Sequence, residues 1–397
     1  MTREKNRVAP LVENLPSSGI RKFFDIVATM KGVISLGVGE PDFVTPWHIR
    51  EACVYSLEKG LTMYTSNWGL LELRQEISRF LQEKYELEYD FNEEIIVTVG
   101  GSEAIDLAMR AITSPGDEII IPEPCYVSYK PCAMLAGAKP VVVDTFEEDG
   151  FRLKPSAILE KLTPNTRALV LCFPNNPTGA VMSKEDLEEI ARIAVSYDLF
   201  VISDEIYSQL SYNGHHVSIA SLPGMSNRTI VINGFSKAWA MTGWRLGFAA
   251  GPEDVIHAMV KIHQYTMLCA PIMSQMAALE ALKHPNGEVE KMATEYNRRR
   301  RFVVNRLRAI GLNCYEPQGA FYVFPSIKIT GMGSEEFSQR LLDEEKVAVV
   351  PGNAFGKAGE GHIRISYASS MKNLTRALEK MESFLSRHIV CEEQIMP

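Results

Sequence analysis

The chain has 397 residues, of which 46% are hydrophobic and 23% are charged, a balance typical of globular proteins with roughly two or three domains. Its net charge of −8 argues against a general nucleic-acid-binding or membrane-surface protein, and no apolar run approaches the roughly 20 residues of a membrane span. Seven scattered cysteines without a CxxC pair, and a charged N-terminus that no apolar segment follows, favour a cytoplasmic protein without a disulfide framework, metal cluster or secretory signal.

The N-terminal part of the chain carries few residues with an evident chemical role. Residues 1–16 are polar and indicate an arm, and an amphipathic helix is expected over Ile20–Met30. A short strand over Val33–Val38 ends at Gly39, where the missing side chain could let a ligand approach the backbone, although a plain turn explains the same residues. Tyr64 lies in a polar loop before the next helix, a position where a tyrosine is more often structural than catalytic.

A glycine-rich turn follows the first strong strand pattern. Ile95–Val99 is rich in β-formers, Gly101 and Ser102 come shortly after it, and apolar residues with helical spacing begin at Ala104. This strand–turn–helix arrangement offers backbone N–H groups and a helix N-terminus to an anion. The same arrangement also serves ordinary packing, so the turn alone leaves both interpretations open.

Further candidate residues follow the next strands. Those strands are predicted at Glu118–Ile121, Pro140–Asp144, Ala168–Phe173 and Phe200–Ser203. Tyr126 could stack on a flat heterocycle or pack in the core, and Asn176 lies in a loop that two prolines and a glycine make rigid. Asp204 could pair with a protonated ring nitrogen or cap a helix, and Tyr207, three residues on, could reach a phenolate oxygen.

The most informative stretch follows an apolar strand over Thr229–Asn233. Ser236, Lys237 and Arg245 lie close together after this strand, at the edge where open α/β sheets bind ligands. A lysine there can form an imine with an aldehyde, and a hydroxyl with a guanidinium can hold a phosphate. Together these two properties suggest pyridoxal phosphate, although the same residues could also be an ordinary Ser-Lys pair and a surface arginine.

The order of elements predicts an α/β fold with a second, smaller unit. Strands alternate with helices from about residue 95 to 250, which favours a mostly parallel sheet. From Asn286 onward the pattern changes to that of a smaller α+β domain. Its expected elements are a helix over Glu288–Ile310, strands at Gly319–Pro325, Val347–Val350, Pro351–Gly356 and His362–Tyr367, and a helix over Lys372–Arg387.

Taken in order, these motifs resemble the class I/II aminotransferases of pyridoxal phosphate fold type I, and most closely the group of aminotransferase A and the aromatic aminotransferases. The resemblance runs from Gly39 to about Arg364. It implies a large domain with a mostly parallel seven-stranded sheet and a smaller α+β domain. Residues 1–46 would form the arm and part of the small domain, 47–285 the large cofactor-binding domain, and 286–397 the C-terminal small domain.

The resemblance also implies a role for each candidate residue in binding pyridoxal 5'-phosphate. Lys237 would form the imine with the cofactor, Asp204 would keep the ring nitrogen protonated, and Tyr126 would stack on the ring. The ring oxygen would be bound by Tyr207 and Asn176, and the phosphate by Gly101, Ser102, Ser236 and Arg245. Tyr64 would reach the phosphate of a neighbouring subunit, which implies a homodimer with shared active sites.

The implied reaction is transfer of the amino group of an L-amino acid to a 2-oxo acid, with 2-oxoglutarate as the expected acceptor and ping-pong kinetics. Arg364 would bind the substrate α-carboxylate, with Gly39 and Asn176 beside it. An aromatic donor, a broad range and an N-acyl-diaminopimelate all remain open. Ser102 stands where relatives that favour acidic substrates carry a lysine, which weakens an aspartate-specific interpretation unless another cation such as Arg21 serves.

Two alternatives use the same fold for other purposes. A β-lyase acting on a sulfur amino acid would need the same cofactor, since fold does not fix chemistry. A regulatory protein with an aminotransferase-like domain would need an added DNA-binding module, and the chain shows no basic helix-turn-helix segment.

Overall fold

The computed structural model describes residues 7–15 and 30–388, and a seven-stranded sheet lies at its centre. The strands of this sheet are β2 (Ile95–Thr98), β3 (Glu118–Glu123), β4 (Lys139–Asp144), β5 (Thr166–Cys172), β6 (Phe200–Asp204), β7 (Thr229–Gly234) and β8 (Gly247–Ala250). They lie in the order β2-β8-β7-β6-β5-β3-β4; β8 pairs antiparallel with β2 and β7, and all other pairs in this sheet are parallel. The prediction of an α/β fold with a mostly parallel seven-stranded sheet is confirmed, although β8 itself was not expected.

Helices cover both faces of the sheet, which is why its strands are apolar on both sides rather than alternating. The helices are α1 (Pro10–Glu13), α2 (Trp47–Glu58), α3 (Leu71–Tyr85), α4 (Gly101–Ile112), α5 (Tyr129–Leu135), α6 (Pro155–Leu159), α7 (Lys184–Ser196), α8 (Glu253–Thr266), α9 (Ile272–Lys283), α10 (Glu288–Ala309), α11 (Ser334–Glu345) and α12 (Met371–His388). Short 3₁₀ turns lie at Glu147–Asp149, Ile219–Ser221, Thr242–Trp244, Lys328–Thr330, Gly352–Phe355 and Lys357–Gly359. One face packs against α4, α5 and α8, and the other packs against α7.

Two smaller sheets lie outside the central one. β1 (Ile34–Ser35) pairs in parallel with β10 (Val347–Ala348), so a segment near the N-terminus joins the C-terminal part of the chain. The other sheet is antiparallel, in the order β11 (Val350–Pro351), β12 (Ile363–Ser366), β9 (Tyr322–Val323). Apolar residues of β1, β9, β10 and β12 and of α10, α11 and α12 share one core.

Several predicted strands are shorter or divided in the structure. The single strand expected over Val347–Val350 is divided into β10 and β11, which belong to different sheets. β10 pairs with β1, whereas β11 pairs with β12. Pro351 has no N–H with which to extend the hydrogen-bonded ladder. The strand expected over Gly319–Pro325 is only β9, because the backbone of Ala320 has a left-handed φ of 56°. The strand expected over Val33–Val38 is reduced to β1. The strand expected over Pro351–Gly356 was wrong, because the backbone after Pro351 forms the 3₁₀ turn Gly352–Phe355.

The remaining predictions about organisation concern the N-terminal region and the domain limits. The polar arm contains the one-turn helix α1, and the helix expected over Ile20–Met30, with Arg21, falls outside the described residues except for Met30. The proposed domain limits stay a prediction. Within residues 7–15 and 30–388, no helix has the length and apolar character needed to cross a membrane.

Candidate active site

Most of the predicted site residues lie at one edge of the central sheet. The carboxyl ends of its parallel strands meet at this edge, and the antiparallel strand β8 begins there. The residues it carries are Tyr126 after β3, Asn176 after β5, Asp204 and Tyr207 at and after β6, Ser236 and Lys237 after β7, and Arg245 before β8. Contacts between the loops that carry these residues join most of them into one site.

The glycine-rich turn and Arg245 form a binding place for an anion. Gly100 has a φ of 81°, and a Cβ there would lie 2.8 Å from the Arg245 guanidinium, so the turn must be glycine for the arginine to lie against it. Gly247 is equally constrained, since its Cβ would lie 2.6 Å from the Gly101 nitrogen. The guanidinium therefore lies beside the N-terminus of the twelve-residue helix α4, where backbone N–H groups and the helix dipole both favour negative charge.

A buried pair that sequence reasoning missed supports this turn from behind. The Glu103 carboxylate accepts a hydrogen bond from the Val99 backbone N–H at 2.5 Å and lies 2.6 Å from Nδ1 of His263, a fully buried residue of α8. These contacts tie the end of β2 and the first turn of α4 to a neighbouring helix. The 160 residues between Glu103 and His263 leave no local pattern that could have indicated the pair.

Asp204 is held by two donors in a buried position. The Tyr129 hydroxyl donates to Oδ2 at 2.7 Å, and the Ile206 backbone N–H donates to Oδ1 at 3.2 Å. Burial raises the pKa of the Asp204 carboxyl to about 6, while the Tyr129 hydrogen bond acts in the opposite direction. Tyr129 was not predicted as a site residue. Its ring meets the ring of Tyr126 edge-on, with centroids 5.6 Å apart.

Lys237 points its amine at the backbone of the segment after β1. Its Nζ donates a hydrogen bond to the Gly39 carbonyl at 2.7 Å and lies 5.8 Å from the ring centre of Tyr207. Burial lowers the pKa of the Lys237 ammonium to about 8, with a contribution in the same direction from the nearby positive charge of Arg364. A lysine with a lowered pKa is a better nucleophile and a better base near neutral pH.

Arg364, on β12, brings a buried positive charge to the same place. Its Nη1 donates to Asn176 Oδ1 at 2.7 Å and its Nη2 donates to the Gly37 carbonyl at 2.6 Å. Its Nε is buried and has no hydrogen-bond partner among the described residues, although a guanidinium so far from water normally uses all its donors. This unpartnered donor marks Arg364 as a residue that is ready to bind an anionic group.

Tyr322, on β9, also belongs to the site but was missed by sequence reasoning. Its hydroxyl lies 2.8 Å from the Tyr207 hydroxyl, and its ring lies 4.4 Å from the Arg364 guanidinium. A Cβ on Gly39 would lie 2.6 Å from this hydroxyl, so the close approach that Gly39 permits is made here by a protein side chain. In the sequence, Tyr322 could be recognised only as one of the apolar residues of a predicted strand.

The remaining predicted residues are placed less closely. Ser102 is exposed in the first turn of α4, and Ser236 is buried in the loop between β7 and β8. Tyr64 is 82% exposed, and no hydrogen bond or ring contact in the described part of the chain joins it to the site. Its position is therefore open to a second molecule.

A separate group of possible ligand atoms lies where α8 begins. Glu93, Glu253 and His257 could surround an ion, but His257 Nε2 already lies 2.6 Å from Glu93 Oε2, and all three side chains are partly or fully exposed. The geometry shows a surface contact between His257 and Glu93. The prediction that the protein uses no metal stays a prediction.

The sheet-edge residues together fit one kind of small molecule. A cradle closed by Gly100 and Gly247 suits a phosphate, a buried carboxylate at Asp204 suits a protonated ring nitrogen, and the amine of Lys237 suits an aldehyde. Pyridoxal phosphate carries these three groups on one ring, so the residues present fit that cofactor. The unpartnered donor of Arg364 suits a carboxylate, which could accept its hydrogen bond.

Comparison with known proteins agrees with this assignment. The family model for aminotransferase class I and II matches residues 31–381. An aspartate aminotransferase of Pyrococcus abyssi is 52% identical over 93% of this chain and 95% of its own length. An aromatic-amino-acid aminotransferase of Thermococcus litoralis is 48% identical over 94% of this chain and 97% of its own length.

A solved structure resembles this chain in fold as well. The aspartate aminotransferase of Thermus thermophilus with maleate superposes with a TM-score of 0.91 and 39% identity, over 96% of this chain and all of that one. The comparisons support amino transfer as the activity and give no support to the β-lyase alternative.

Proposed function

The chain belongs to the class I and II aminotransferases, a family that depends on pyridoxal phosphate, and we propose that it binds this cofactor at the sheet edge described above to move amino groups from L-amino acids to 2-oxo acids. The observation that carries the proposal is the environment of Lys237. Its amine follows β7 at the ligand-binding edge, has a pKa lowered to about 8 by burial, and lies among the charged groups that the cofactor needs.

The cofactor would be bound by residues from five loops. The backbone at Gly101 and the side chains of Ser102, Ser236 and Arg245 would hold its phosphate. Gly101 and Ser102 lie in the first turn of α4, and the Arg245 guanidinium lies beside it. Asp204 would pair with the ring nitrogen. The ring oxygen and the ring face would be met by Tyr207, Asn176 and Tyr126.

The residues of this chain then carry out the proton movements. Bound pyridoxal phosphate supplies an electron sink for the charge that develops when the substrate Cα loses its proton. Asp204 holds a proton on the ring nitrogen, which strengthens that sink, and the Tyr129 hydrogen bond keeps the carboxylate in place. The amine of Lys237 would accept the Cα proton and return it to the cofactor carbon C4′. Loss of Lys237 should therefore abolish turnover.

Arg364 would bind the α-carboxylate that every amino acid and 2-oxo acid substrate carries. Its guanidinium is already fixed in position by hydrogen bonds to Asn176 and the Gly37 carbonyl and by contact with the ring of Tyr322. Such preorganisation reduces the entropy lost when the substrate binds. A carboxylate that reaches the unpartnered Nε would complete the hydrogen bonding of the guanidinium.

The donor range is proposed to be broad, with 2-oxoglutarate as acceptor. Relatives of nearly equal similarity to this chain carry the names aspartate aminotransferase and aromatic-amino-acid aminotransferase. Ser102 offers a small neutral group beside the anion-binding turn, which neither attracts a second carboxylate strongly nor repels an aromatic ring. A mixed range of acidic and aromatic donors fits both facts.

The protein is also proposed to act as a homodimer with shared sites. Large apolar side chains are exposed in the loop that carries Tyr64 and in the last turn of α8, which carries Tyr265. Asn67 donates to the Leu268 carbonyl at 2.6 Å, which brings this loop beside the end of α8. Met63, Tyr64 and Tyr265 are 79%, 82% and 86% exposed. An apolar patch of this kind indicates a protein–protein interface, and Tyr64 would enter the partner's site from it.

A half-reaction screen tests the proposed function. Purified protein loaded with pyridoxal phosphate is mixed with single L-amino acids, and loss of the visible cofactor absorbance is followed with identification of the organic product. Formation of a 2-oxo acid with pyridoxamine phosphate, from both aspartate and an aromatic amino acid, is expected. Ammonia with pyruvate from a sulfur amino acid, or turnover by Lys237→Ala, would refute the proposal.

A further inference from the structure

Tyr207 and Tyr322 form a pair of buried hydroxyls with a single hydrogen bond between them. The two oxygens are 2.8 Å apart, and either one could be the donor. Neither hydroxyl has another hydrogen-bond partner in the described part of the chain. The pair joins the loop after β6 to β9, two elements whose residues lie 115 positions apart in the sequence.

Both hydroxyls carry their proton at physiological pH. Burial raises the pKa of Tyr207 well above its ordinary value, with the neighbouring Tyr322 acting in the same direction, and burial likewise raises the pKa of Tyr322. Two hydroxyls that share one hydrogen bond use only one of their two protons. One O–H is therefore left to bind something else.

The direction of the shared bond decides which hydroxyl keeps the free proton. If Tyr207 donated to Tyr322, the free proton would belong to Tyr322, whose oxygen packs so closely against Gly39 that a Cβ there would lie 2.6 Å from it. If Tyr322 donates, the free proton belongs to Tyr207, which is proposed above to meet the ring oxygen of the cofactor. We propose that Tyr322 is a positioning residue that donates to Tyr207 and so aims the remaining Tyr207 proton at that oxygen. This inference rests on the proposed function.

The ring of Tyr322 has a second, separable role. Its face lies 4.4 Å from the Arg364 guanidinium, close enough for a cation–π contact, so the aromatic ring helps to hold the group that would bind the substrate carboxylate. Tyr322→Phe removes the hydroxyl and keeps the ring. Tyr322→Leu removes both, which lets the two roles be measured apart.

Tyr322→Phe should change the cofactor more than substrate binding. A donor to the ring oxygen stabilises its anionic form, so losing the Tyr322 support should raise the pH midpoint of the visible absorbance of the bound cofactor by about half a unit to one unit. For the same reason kcat should fall about 3- to 10-fold. KM for the amino acid should change less than about twofold, since Arg364 keeps its aromatic neighbour. Tyr322→Leu should show the same pH shift together with a raised KM.

A double-mutant cycle with Tyr207→Phe provides the decisive test. If Tyr322 acts through Tyr207, the pH midpoint of Tyr207→Phe should not move further when Tyr322→Phe is added. A full additional shift in the double variant, or an unchanged midpoint in Tyr322→Phe alone, would overturn the inference while leaving the proposed function intact. An unchanged midpoint in Tyr207→Phe itself would instead refute the proposed role of Tyr207.

A matched control separates this effect from the general cost of losing a buried hydroxyl. Tyr89 is also buried, and its hydroxyl has no hydrogen-bond partner among the described residues. Tyr89→Phe should leave the pH midpoint and kcat at their original values. If Tyr89→Phe moved the midpoint as far as Tyr322→Phe, the specific role of Tyr322 would be wrong.

Discussion

The pKa values of Lys237 and Asp204 are both shifted in the direction that favours the neutral side chain, and burial is the principal cause in each case. The pKa of Lys237 is lowered to about 8, and the pKa of Asp204 is raised to about 6. In the cofactor-free chain these two opposite charges are therefore poorly solvated. A ligand that supplies a protonated ring nitrogen and an aldehyde would satisfy both groups, which is a reason for tight cofactor binding at this edge.

The lowered pKa of Lys237 predicts how fast the cofactor is captured. Only the unprotonated amine attacks an aldehyde, so the rate of cofactor uptake by the cofactor-free protein should rise with pH around a midpoint near 8. Stopped-flow recording of the visible band between pH 6 and 10 measures this rate. A midpoint near 10.5, the value of an ordinary lysine, would contradict the prediction, and Lys237→Ala should develop no such band.

The raised pKa of Asp204 predicts that its ionised carboxylate lowers the stability of the folded protein. Between about pH 4 and 6 the folded chain retains a proton that the unfolded chain has lost, so stability falls as pH rises through this window. Asp204→Asn should therefore raise the free energy of unfolding of the cofactor-free protein by up to about 3 kcal/mol at pH 8, and by little at pH 4. Thermal unfolding at the two pH values measures the difference.

The same substitution should lower turnover at least about 100-fold, because a neutral amide cannot keep the ring nitrogen protonated. Asp198→Asn serves as control, since the Asp198 side chain is 89% exposed and this change should alter neither property. Stabilisation equal at both pH values would show that the carboxylate is not the cause.

Sequence reasoning found the residues that carry chemistry but not those that hold them. Lys237, Asp204 and Arg364 follow or lie in strands, and their chemical types are unusual enough there to be noticed. Tyr129 and Tyr322 look like core aromatics, and they act through partners 75 and 115 positions away in the sequence. A single sequence carries no signal for such pairs, because the spacing between the partners depends on how the strands are ordered in space.

At the scale of elements, the turn between β2 and α4 is the most constrained part of the site. Gly100→Ala would place a methyl group 2.8 Å from the Arg245 guanidinium in a backbone conformation that disfavours any side chain. Cofactor affinity should fall about 10-fold or more, because the phosphate-binding guanidinium has to move. Equilibrium dialysis of the cofactor-free variant measures this loss.

A second glycine separates strain from steric contact. Gly116 also has a left-handed φ, of 101°, but a Cβ there would meet nothing within 4 Å. Gly116→Ala should lower stability by about 1 kcal/mol and leave cofactor affinity unchanged. Equal losses of affinity in the two variants would show that the contact with Arg245 is not what matters.

The larger elements were predictable and the short ones were not. Apart from β8, the strands of the central sheet have continuous apolar runs, so their positions were predicted to within about two residues. The strands β9, β10 and β11 have two residues each, and their limits depend on partners and on Pro351 and the left-handed Ala320 rather than on periodicity. β8 was missed because glycine and alanine residues give little strand signal.

At the scale of the whole molecule, the proposed dimer makes a prediction that needs no structure of the complex. If Tyr64 serves the partner's site, Tyr64→Ala and Lys237→Ala should each be impaired alone. In a mixed dimer, one site would carry both substitutions and the other would carry none. Mixing the two variants under conditions of subunit exchange should therefore restore activity, measured as turnover of an amino acid.

The alternative outcome is equally clear. If Tyr64 served its own subunit, each site of the mixed dimer would contain one substitution, and mixing would restore nothing. Sedimentation of the mixture confirms that dimers are present. A monomer at assay concentrations would contradict the dimer itself.

The carbonyl anchors of Gly37 and Gly39 have a consequence for engineering. Lys237 and Arg364 are both held by backbone oxygens of this segment, and every amino acid provides such an oxygen. The intervening Val38 is 41% exposed, so its side chain is not what holds either cation. A library varied at Val38 could therefore reshape the surroundings of the substrate without dismantling the charges that the reaction requires.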